Sequence, residues 1–263
     1  MQKTLLLVPL FAVACSYPRF VASKTIVVNV PLAQALTLDC KTHNGDIKIA
    51  RGEADDMVHV VAKIKVRGHT QEEADRNLER MSVGQGLEGK TLRIYGDYPR
   101  PDMNNRSPSF SFTMQVPEHL ALKLESHNGD IESNGTTGTM RIETHNGDVR
   151  GTSRHKKTWV KTHNGEVRMA VQSEDDLDGR ITSHNGDIVI QVPEEARCWL
   201  EAATHNGKIK TPSAIHDATI KRRSVLCRLG EEQTEGRLYI QTHNGNIVVR
   251  DGTPSGGNAK KLK

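Results

Sequence analysis

SHNGDI, residues 126–131, is one of seven near-identical hexapeptides in this 263-residue chain. The copies begin at Thr42, Ser126, Thr144, Thr162, Ser183, Thr204 and Thr242. Their histidines are separated by 84, 18, 18, 21, 21 and 38 residues. A central period of 18–21 residues is typical of a stacked repeat. The interval of 38 suggests two repeat units, so that a copy between His205 and His243 has lost the motif near Ser224. The interval of 84 must hold additional structure.

Inward and outward positions alternate around each copy. Thr or Ser precedes every histidine, Cys or an aliphatic residue stands three positions before it, and Ile or Val stands four positions after it. The residue two positions before it is usually polar. This period of two predicts a strand with one buried face. The Thr/Ser and aliphatic columns should therefore point inward, and the histidines outward.

Asn-Gly follows each histidine and predicts a sharp turn between two strands, because both residues tolerate positive φ. Asn-Gly also suits a series of β-hairpins. The sameness of the copies favours parallel stacking instead, since each residue then lies about 4.8 Å from its own copy. We predict an all-β fold, a parallel β-solenoid (β-helix-like) with coils of 18–21 residues over 121–250. The predicted structural corner residues are Asn44, Gly45, Asn128, Gly129, Asn146, Gly147, Asn164, Gly165, Asn185, Gly186, Asn206, Gly207, Asn244 and Gly245.

A β-rich region precedes the main repeats. Residues 58–66 alternate as in a strand, and Thr70 with Glu73 forms a capping box that predicts a short helix over 71–80. We assign 24–120 to the N-terminal part of the domain, which includes the first repeat. This part should form a small cap over strand edges that the stack would otherwise expose.

The first residues are typical of an export signal. One Lys precedes an apolar run over 5–14, which is too short to span a bilayer, and residues 1–14 therefore read as a signal peptide. AVAC at 12–15 resembles a lipoprotein box that would make Cys15 the lipidated residue, whereas AVA also suits ordinary signal cleavage. Both readings predict an exported protein, either a membrane-anchored lipoprotein or a periplasmic or extracellular protein. Residues 251–263 read as a disordered basic tail.

Composition argues against several functional classes. The net charge is only +4, and basic residues are not interleaved with aromatic ones along the chain, so we expect no nucleic-acid partner. Cys40, Cys198 and Cys227 lack the C-x-x-C spacing of zinc ribbons and thioredoxins, and a disulfide between Cys198 and Cys227 stays open. We expect Trp159 and Trp199 to pack on the domain rather than to form a sugar platform.

FTMQVPEHLALKLESHNGDIES, residues 112–133, and the recurring Gly-Asp-Ile or Gly-Asp-Val units resemble the bacterial putative-adhesin family. This family is a domain of unknown function found in exported and envelope proteins. The resemblance covers about residues 25–250. It implies a parallel β-solenoid and, through the family name, adhesion.

Two interpretations of the histidine column remain. Imidazoles from adjacent coils could bind zinc together with acids across the corner, and calcium fits less well because calcium-binding β-rolls use Gly-Gly-x-Gly-x-Asp. The candidate ligands in that case are His127, His145, His163, His184, Asp130, Asp148 and Asp187. In the other interpretation each histidine is a polar cover of the turn, hydrogen-bonded to the neighbouring acid. We expect the architectural role, with no resident cofactor.

The sequence singles out no Ser or Cys as a nucleophile, and we expect the protein not to be an enzyme. It predicts a non-enzymatic exported cell-envelope or surface protein, an adhesin-like binding or scaffold module that displays a repeated His/Asp edge. Its partners would be an unidentified macromolecule at the envelope and the membrane, through a lipid anchor. A metal-binding envelope protein is the alternative function, and a polysaccharide-acting β-helix enzyme is the third.

Overall fold

A computed structural model describes residues 20–53, 56–99, 108–154, 157–172, 176–230 and 233–252. The predicted signal peptide over 1–14, the predicted lipidation site Cys15 and residues 253–263 of the predicted tail lie outside these ranges. One helix and 21 strands occur within them. The helix α1 is Gln71–Glu79, and the strands are β1 Phe20–Pro31, β2 Thr37–Asn44, β3 Ile47–Arg51, β4 Met57–Gly68, β5 Ser82–Glu88, β6 Thr91–Asp97, β7 Ser109–Val116, β8 Ala121–Asn128, β9 Ile131–Asn134, β10 Met140–Asn146, β11 Val149–Ser153, β12 Lys157–Asn164, β13 Val167–Val171, β14 Asp178–Asn185, β15 Ile188–Val192, β16 Cys198–Asn206, β17 Ile209–Lys210, β18 His216–Lys221, β19 Ser224–Leu229, β20 Arg237–Asn244 and β21 Ile247–Asp251.

The strands form two sheets of mixed direction, so the prediction of an all-β fold is confirmed. The first sheet has the order β1-β4-β7-β3-β9-β11-β13-β15-β21-β17. The second has the order β18-β19-β16-β20-β14-β12-β10-β8-β2-β6-β5. Pairing is parallel from β7 to β17 in the first sheet and from β16 to β6 in the second. The outer pairs are antiparallel at the N-terminal end of both sheets and at the C-terminal end of the second.

The predicted alternation places the core between the two sheets. Ile142, Val160 and Ile181 on the second sheet and Val149 and Val167 on the first have no exposed surface. These residues belong to one continuous apolar cluster that extends from the first strands to the last. Burial of this surface is the dominant favourable contribution to folding. The corner Thr and Ser side chains are also buried, as their inward parity predicts.

The order of the coils departs from the order of the chain. The last coil, β20 with β21, lies between the coil of β14 and β15 and the coil of β16 and β17. Ser224 starts β19, which pairs antiparallel with β16 as part of a hairpin with β18. The interpretation of the 38-residue interval as two units with a lost motif near Ser224 is therefore wrong. Those residues extend the sheet beyond β16 and do not form a degenerate coil.

The residues between the first two copies continue both sheets at the other end. Strands β7, β4 and β1 extend the first sheet, and β6 and β5 extend the second. Helix α1 has the expected N-cap, because the Thr70 hydroxyl accepts a 3.1 Å hydrogen bond from the Glu73 amide. The helix packs on β4 and β1 with Ala74 buried. No helix of the described residues has the length and apolar character needed to cross a membrane.

Candidate functional site

Each Asn-Gly corner stacks directly on its copies. Neighbouring corner asparagines are in register in the spatial order Asn44, Asn128, Asn146, Asn164, Asn185, Asn244 and Asn206. Every position of the motif can therefore contact the same position in the next coil. Five separate columns follow from this register, formed by the buried Thr/Ser, the outward histidine, the asparagine, the glycine and the residue after the glycine, which is usually an acid.

The buried column connects adjacent coils through hydroxyl groups. The Thr144 hydroxyl donates to the Gly129 carbonyl at 3.1 Å, and the Thr162 hydroxyl donates to the Gly147 carbonyl at 3.1 Å. Ser126, Ser183, Thr204 and Thr242 repeat this contact. Buried carbonyl groups need such donors, because an unpaired polar group in the core is costly. This requirement explains why only Thr or Ser occupies the position before the histidine.

The glycine is required by close stacking rather than by positive φ alone. Of the seven corner glycines, only Gly45, Gly186 and Gly245 have φ in the left-handed range, and no corner asparagine does. A Cβ atom on Gly147 would lie 2.1 Å from the Gly129 carbonyl oxygen, and the other corner glycines meet a neighbouring coil's backbone oxygen equally closely. Tolerance of positive φ, from which the sequence predicted the Asn-Gly turn, therefore explains only part of the requirement for glycine. The coils approach each other so closely here that no side chain fits.

The corner asparagines form a continuous amide ladder. The Asn146 side-chain amide donates to the Asn128 side-chain oxygen at 2.8 Å and accepts from Asn164 at 2.8 Å. The remaining neighbours repeat the bond at 2.7–2.8 Å. Asparagine suits this column because one amide group is both donor and acceptor.

The four aspartates that follow a corner glycine accept hydrogen bonds from backbone amides of the adjacent coil. Asp130 accepts from the Asp148 amide at 2.9 Å, and Asp148 accepts from the Glu166 amide at 2.8 Å. The last two members of this column are Asn246, which accepts from the Lys208 amide, and Lys208 itself. Lys208 lies in the outermost of the described coils, next to the edge strand β17, so no described corner beyond it needs an acceptor. Its position explains why a basic residue replaces the acid in that copy.

The histidines lie outside, as predicted, and form a single column of rings. The spatial order is His43, His127, His145, His163, His184, His243 and His205, with neighbouring ring centroids 4.6–4.9 Å apart. Four of the six ring pairs are stacked, and the two that involve His145 are edge-on. We call this column the histidine edge.

The structure brings the candidate metal ligands together only in part. His127, His145, His163 and His184 are neighbours on the histidine edge. The carboxylates of Asp130, Asp148 and Asp187 instead accept hydrogen bonds from the next coil's backbone. Among the described residues, no group of three or more His, Cys, Asp or Glu side chains is arranged to hold a metal ion. The contacts of the histidines are with one another, rather than the hydrogen bonds to neighbouring acids that the architectural interpretation expected.

The centre of the histidine edge has a mixed electrostatic environment. Lys161 forms a 3.0 Å ion pair with Glu143 beside His145, and the three central rings border a shallow cavity of about 290 Å³. Partial desolvation lowers the pKa of His145, and the neighbouring His127, His163 and Lys161 lower it further. The edge therefore resists protonation at its centre.

The family model described as Toastrack DUF4097 matches residues 10–250. This chain belongs to the Toastrack family. A putative cell adhesion protein from Clostridium sporogenes is a structural neighbour with 13% identity and a TM-score of 0.48, covering 88% of this chain and 100% of its own. A putative adhesin from Bacteroides fragilis has 12% identity and a TM-score of 0.40, covering 87% and 97%. A putative lipid binding protein from Parabacteroides distasonis has 10% identity and a TM-score of 0.33, covering 86% and 96%. No curated protein matches the chain.

A larger cavity of about 700 Å³ lies at the C-terminal end of this Toastrack domain. Its polar lining includes Glu194, Arg197, His216 and Asp251. The Ser213 hydroxyl donates to the Asp251 carboxylate at 3.2 Å, so this serine is not paired with a histidine base.

The three cysteines of the described residues are free and buried. Cys198 and Cys227 lie on the paired strands β16 and β19 but are not bonded to each other. Burial raises the pKa of Cys198 to about 12 and also raises the pKa of Cys40 and Cys227. These thiols have the character of inert core residues.

One group of exposed residues escaped the sequence analysis. The residues four positions before the corner histidines lie side by side on the second sheet and include Arg141, Trp159, Arg180 and Tyr239. Basic and aromatic residues do alternate there, although they do not along the chain. Aligning the copies at this position would have revealed the row.

Proposed function

We propose that this protein is a non-enzymatic envelope or surface module that binds a macromolecular partner through the histidine edge. The observation that carries the proposal is the unbroken column of seven exposed rings at 4.6–4.9 Å spacing. A repeated partner could contact several coils at once, and such multivalency strengthens weak individual contacts.

The scaffold under the edge supports a display role. The Thr/Ser, glycine and asparagine columns connect every coil to the next, so the rings are held on a stiff backbone. We interpret the parallel central coils as a short β-solenoid that antiparallel strands extend at the N-terminal end of both sheets and at the C-terminal end of the second. Such stacks are commonly extended binding surfaces.

The proposal also includes export. The apolar run over 5–14 suits a signal peptide, and Cys15 suits a lipid anchor that would hold the module at a membrane. The partner would then be another component of the envelope or of a surface that the cell meets.

A co-sedimentation assay with isolated bacterial envelopes tests the proposal. We expect the combined variant His127→Gln, His145→Gln and His163→Gln to bind at least tenfold more weakly, because it removes adjacent contacts from a multivalent site. The matched control changes three histidines outside the column, His69→Gln, His119→Gln and His216→Gln, and should bind like the parent. Equal binding by all three proteins would contradict the proposal.

Zinc binding by the same edge is the second candidate function, because adjacent imidazoles lie within 5 Å and could share an ion. Calcium is less favoured, since the corner carboxylates already accept backbone hydrogen bonds. A ligand specific to the folded state raises the unfolding midpoint. We would compare thermal unfolding in EDTA, zinc and calcium. A rise of several degrees with zinc that the triple column variant abolishes would favour this function, and no shift would exclude it.

A further inference from the structure

A second surface lies on the same outer face of the second sheet, about 13 Å along each strand from the histidine edge. Lys123, Arg141, Trp159, Arg180 and Tyr239 occupy directly paired positions on β8, β10, β12, β14 and β20. We call these five residues the arginine–aromatic row. It runs perpendicular to the strands and parallel to the histidine edge.

The two arginines of the row are stacked on aromatic rings. The Arg141 guanidinium carbon lies 3.2 Å from the Trp159 ring centroid, and the Arg180 guanidinium carbon lies 4.7 Å from the Tyr239 ring centroid. Both rings are half-buried, whereas both arginines are exposed. A cation held over a ring is attracted by its electron-rich face. The rings thus hold the guanidinium groups at defined places on a flat surface.

A stacked guanidinium still directs its N–H donors outward in its own plane, where they can bind a carboxylate with two hydrogen bonds. Arg141 and Arg180 are separated by the strand β12, so their backbone positions are about 9.5 Å apart, twice the distance between adjacent strands, and each guanidinium leans onto the ring of the next strand in the same direction. A linear ligand with one carboxylate per 9.5 Å would therefore match the row.

The positive charge of the row is confined to its two arginines, because the paired positions continue into an acid at each end, Asp39 on β2 and Glu201 on β16. Lys123 is neutralised by Asp39 at 2.7 Å, and Lys161 is paired with Glu143. Glu143 also lies 3.7 Å from Arg141. Among the described residues Arg180 forms no ion pair and contacts the Tyr239 ring, whose paired neighbour on β16 is Glu201, so its charge is less compensated than those of Lys123 and Arg141. The strongest electrostatic attraction should therefore act at Arg180.

We propose that the arginine–aromatic row binds an anionic polysaccharide of uronic acid units, lying across the strands. In an extended β-1,4-linked polyuronate successive sugars face opposite sides, so every second carboxylate points towards the protein. That repeat is close to the spacing of Arg141 and Arg180. The edges of Trp159 and Tyr239 would pack against the sugar rings between the two carboxylates.

Single-stranded nucleic acid fits the row less well. Its bases bind such surfaces by stacking on open aromatic faces. One face of Trp159 is occupied by Arg141, and one face of Tyr239 by Arg180. What the row offers to a ligand is mainly guanidinium donors at regular distances.

Calorimetric titration of the full chain with polymannuronate tests the proposal. We expect saturable binding that Arg180→Gln weakens at least tenfold and that Arg141→Gln combined with it abolishes. The matched control Arg150→Gln lies on the first sheet and should bind like the parent. The Gln variant of His127, His145 and His163 should also bind like the parent, so that this inference and the proposed function can fail separately.

Thermal unfolding of each variant would verify that it is folded, and Arg180→Glu gives a second test of the charge at this position. Absence of binding by the parent protein would overturn the proposal. Equal losses in Arg180→Gln and Arg150→Gln would overturn it as well, as would equally tight binding of uncharged dextran. Tighter binding of oligodeoxythymidylate than of polymannuronate would replace it with a nucleic-acid site.

Discussion

The central coils and the two ends of the sheets follow different rules. A central coil has a parallel copy on both sides, so each corner residue must fit two neighbours that are almost identical to it. At three of the four sheet ends the pairing becomes antiparallel, and the outer strands there share neither the motif nor its spacing. The near-identity of the Thr/Ser, asparagine, glycine and aspartate positions is therefore a consequence of stacking. It needs no chemical activity of the motif to explain it.

Replacing glycine by alanine should lower the stability of the protein much more at a central corner than in an end strand. We expect this to be the largest difference between the two regions. Gly147→Ala would place a Cβ atom 2.1 Å from the Gly129 carbonyl oxygen, and separating the coils should cost about 3 kcal/mol. Gly86→Ala in the end strand β5 meets no atom within 4 Å, so its stability should stay within about 1 kcal/mol of the parent. Urea unfolding measures both. Similar stability of the two variants would remove close stacking as the reason for the corner glycine.

Substitutions at the position after the corner glycine should also destabilise a central coil more than the outermost one, but by less than the glycine substitution. Asp148→Lys removes the acceptor of the Glu166 amide and the ion pair with Arg150, and we expect a loss of about 1–2 kcal/mol. Lys208→Asp, at the corresponding position of the outermost coil, should be neutral because no adjacent corner amide needs it. Thermal unfolding of the two variants compares them directly. A loss in Lys208→Asp as large as in Asp148→Lys would show that position in the stack does not matter.

Substitutions in the asparagine ladder should cost more stability in a central coil than in the outermost coil. Asn146 bonds with two neighbours and Asn206 with one, so Asn146→Ala should cost about 1 kcal/mol and Asn206→Ala about half as much. Denaturant unfolding of the two variants measures this difference in the free energy of unfolding. A larger cost at Asn206 would indicate that the end coil depends on the ladder more than the centre does.

Acidification should have the smallest effect. Because the folded state lowers the pKa of His145, the unfolded state takes up this proton first as pH falls. The corresponding stability is fully present above the ordinary histidine value near 6.5 and is lost progressively below it. Unfolding midpoints between pH 7.5 and pH 5 should therefore fall modestly, and less in His145→Gln. A sharp cooperative collapse near pH 6 would instead make the histidine edge a pH switch.

Local patterns were sufficient to predict the corners. The alternation of period two correctly places the Thr/Ser column inside and the histidines outside, because side-chain direction along a strand depends only on parity. The capping pair Thr70 and Glu73 likewise indicates the helix, because the cap is a contact between residues three positions apart. The sequence alone also establishes that the copies resemble one another enough to stack.

The tertiary structure decided what depends on residues far apart in the chain. The insertion of the last coil between two earlier ones is invisible to a count of spacings, because a strand can pair with either of two similar neighbours. The same insertion brings Tyr239 next to Arg180 and so completes the arginine–aromatic row. That no described coil lies beyond Lys208 is also a matter of position in the stack. A repeated sequence specifies the contacts within each coil, whereas the order of the coils specifies which surfaces they form together.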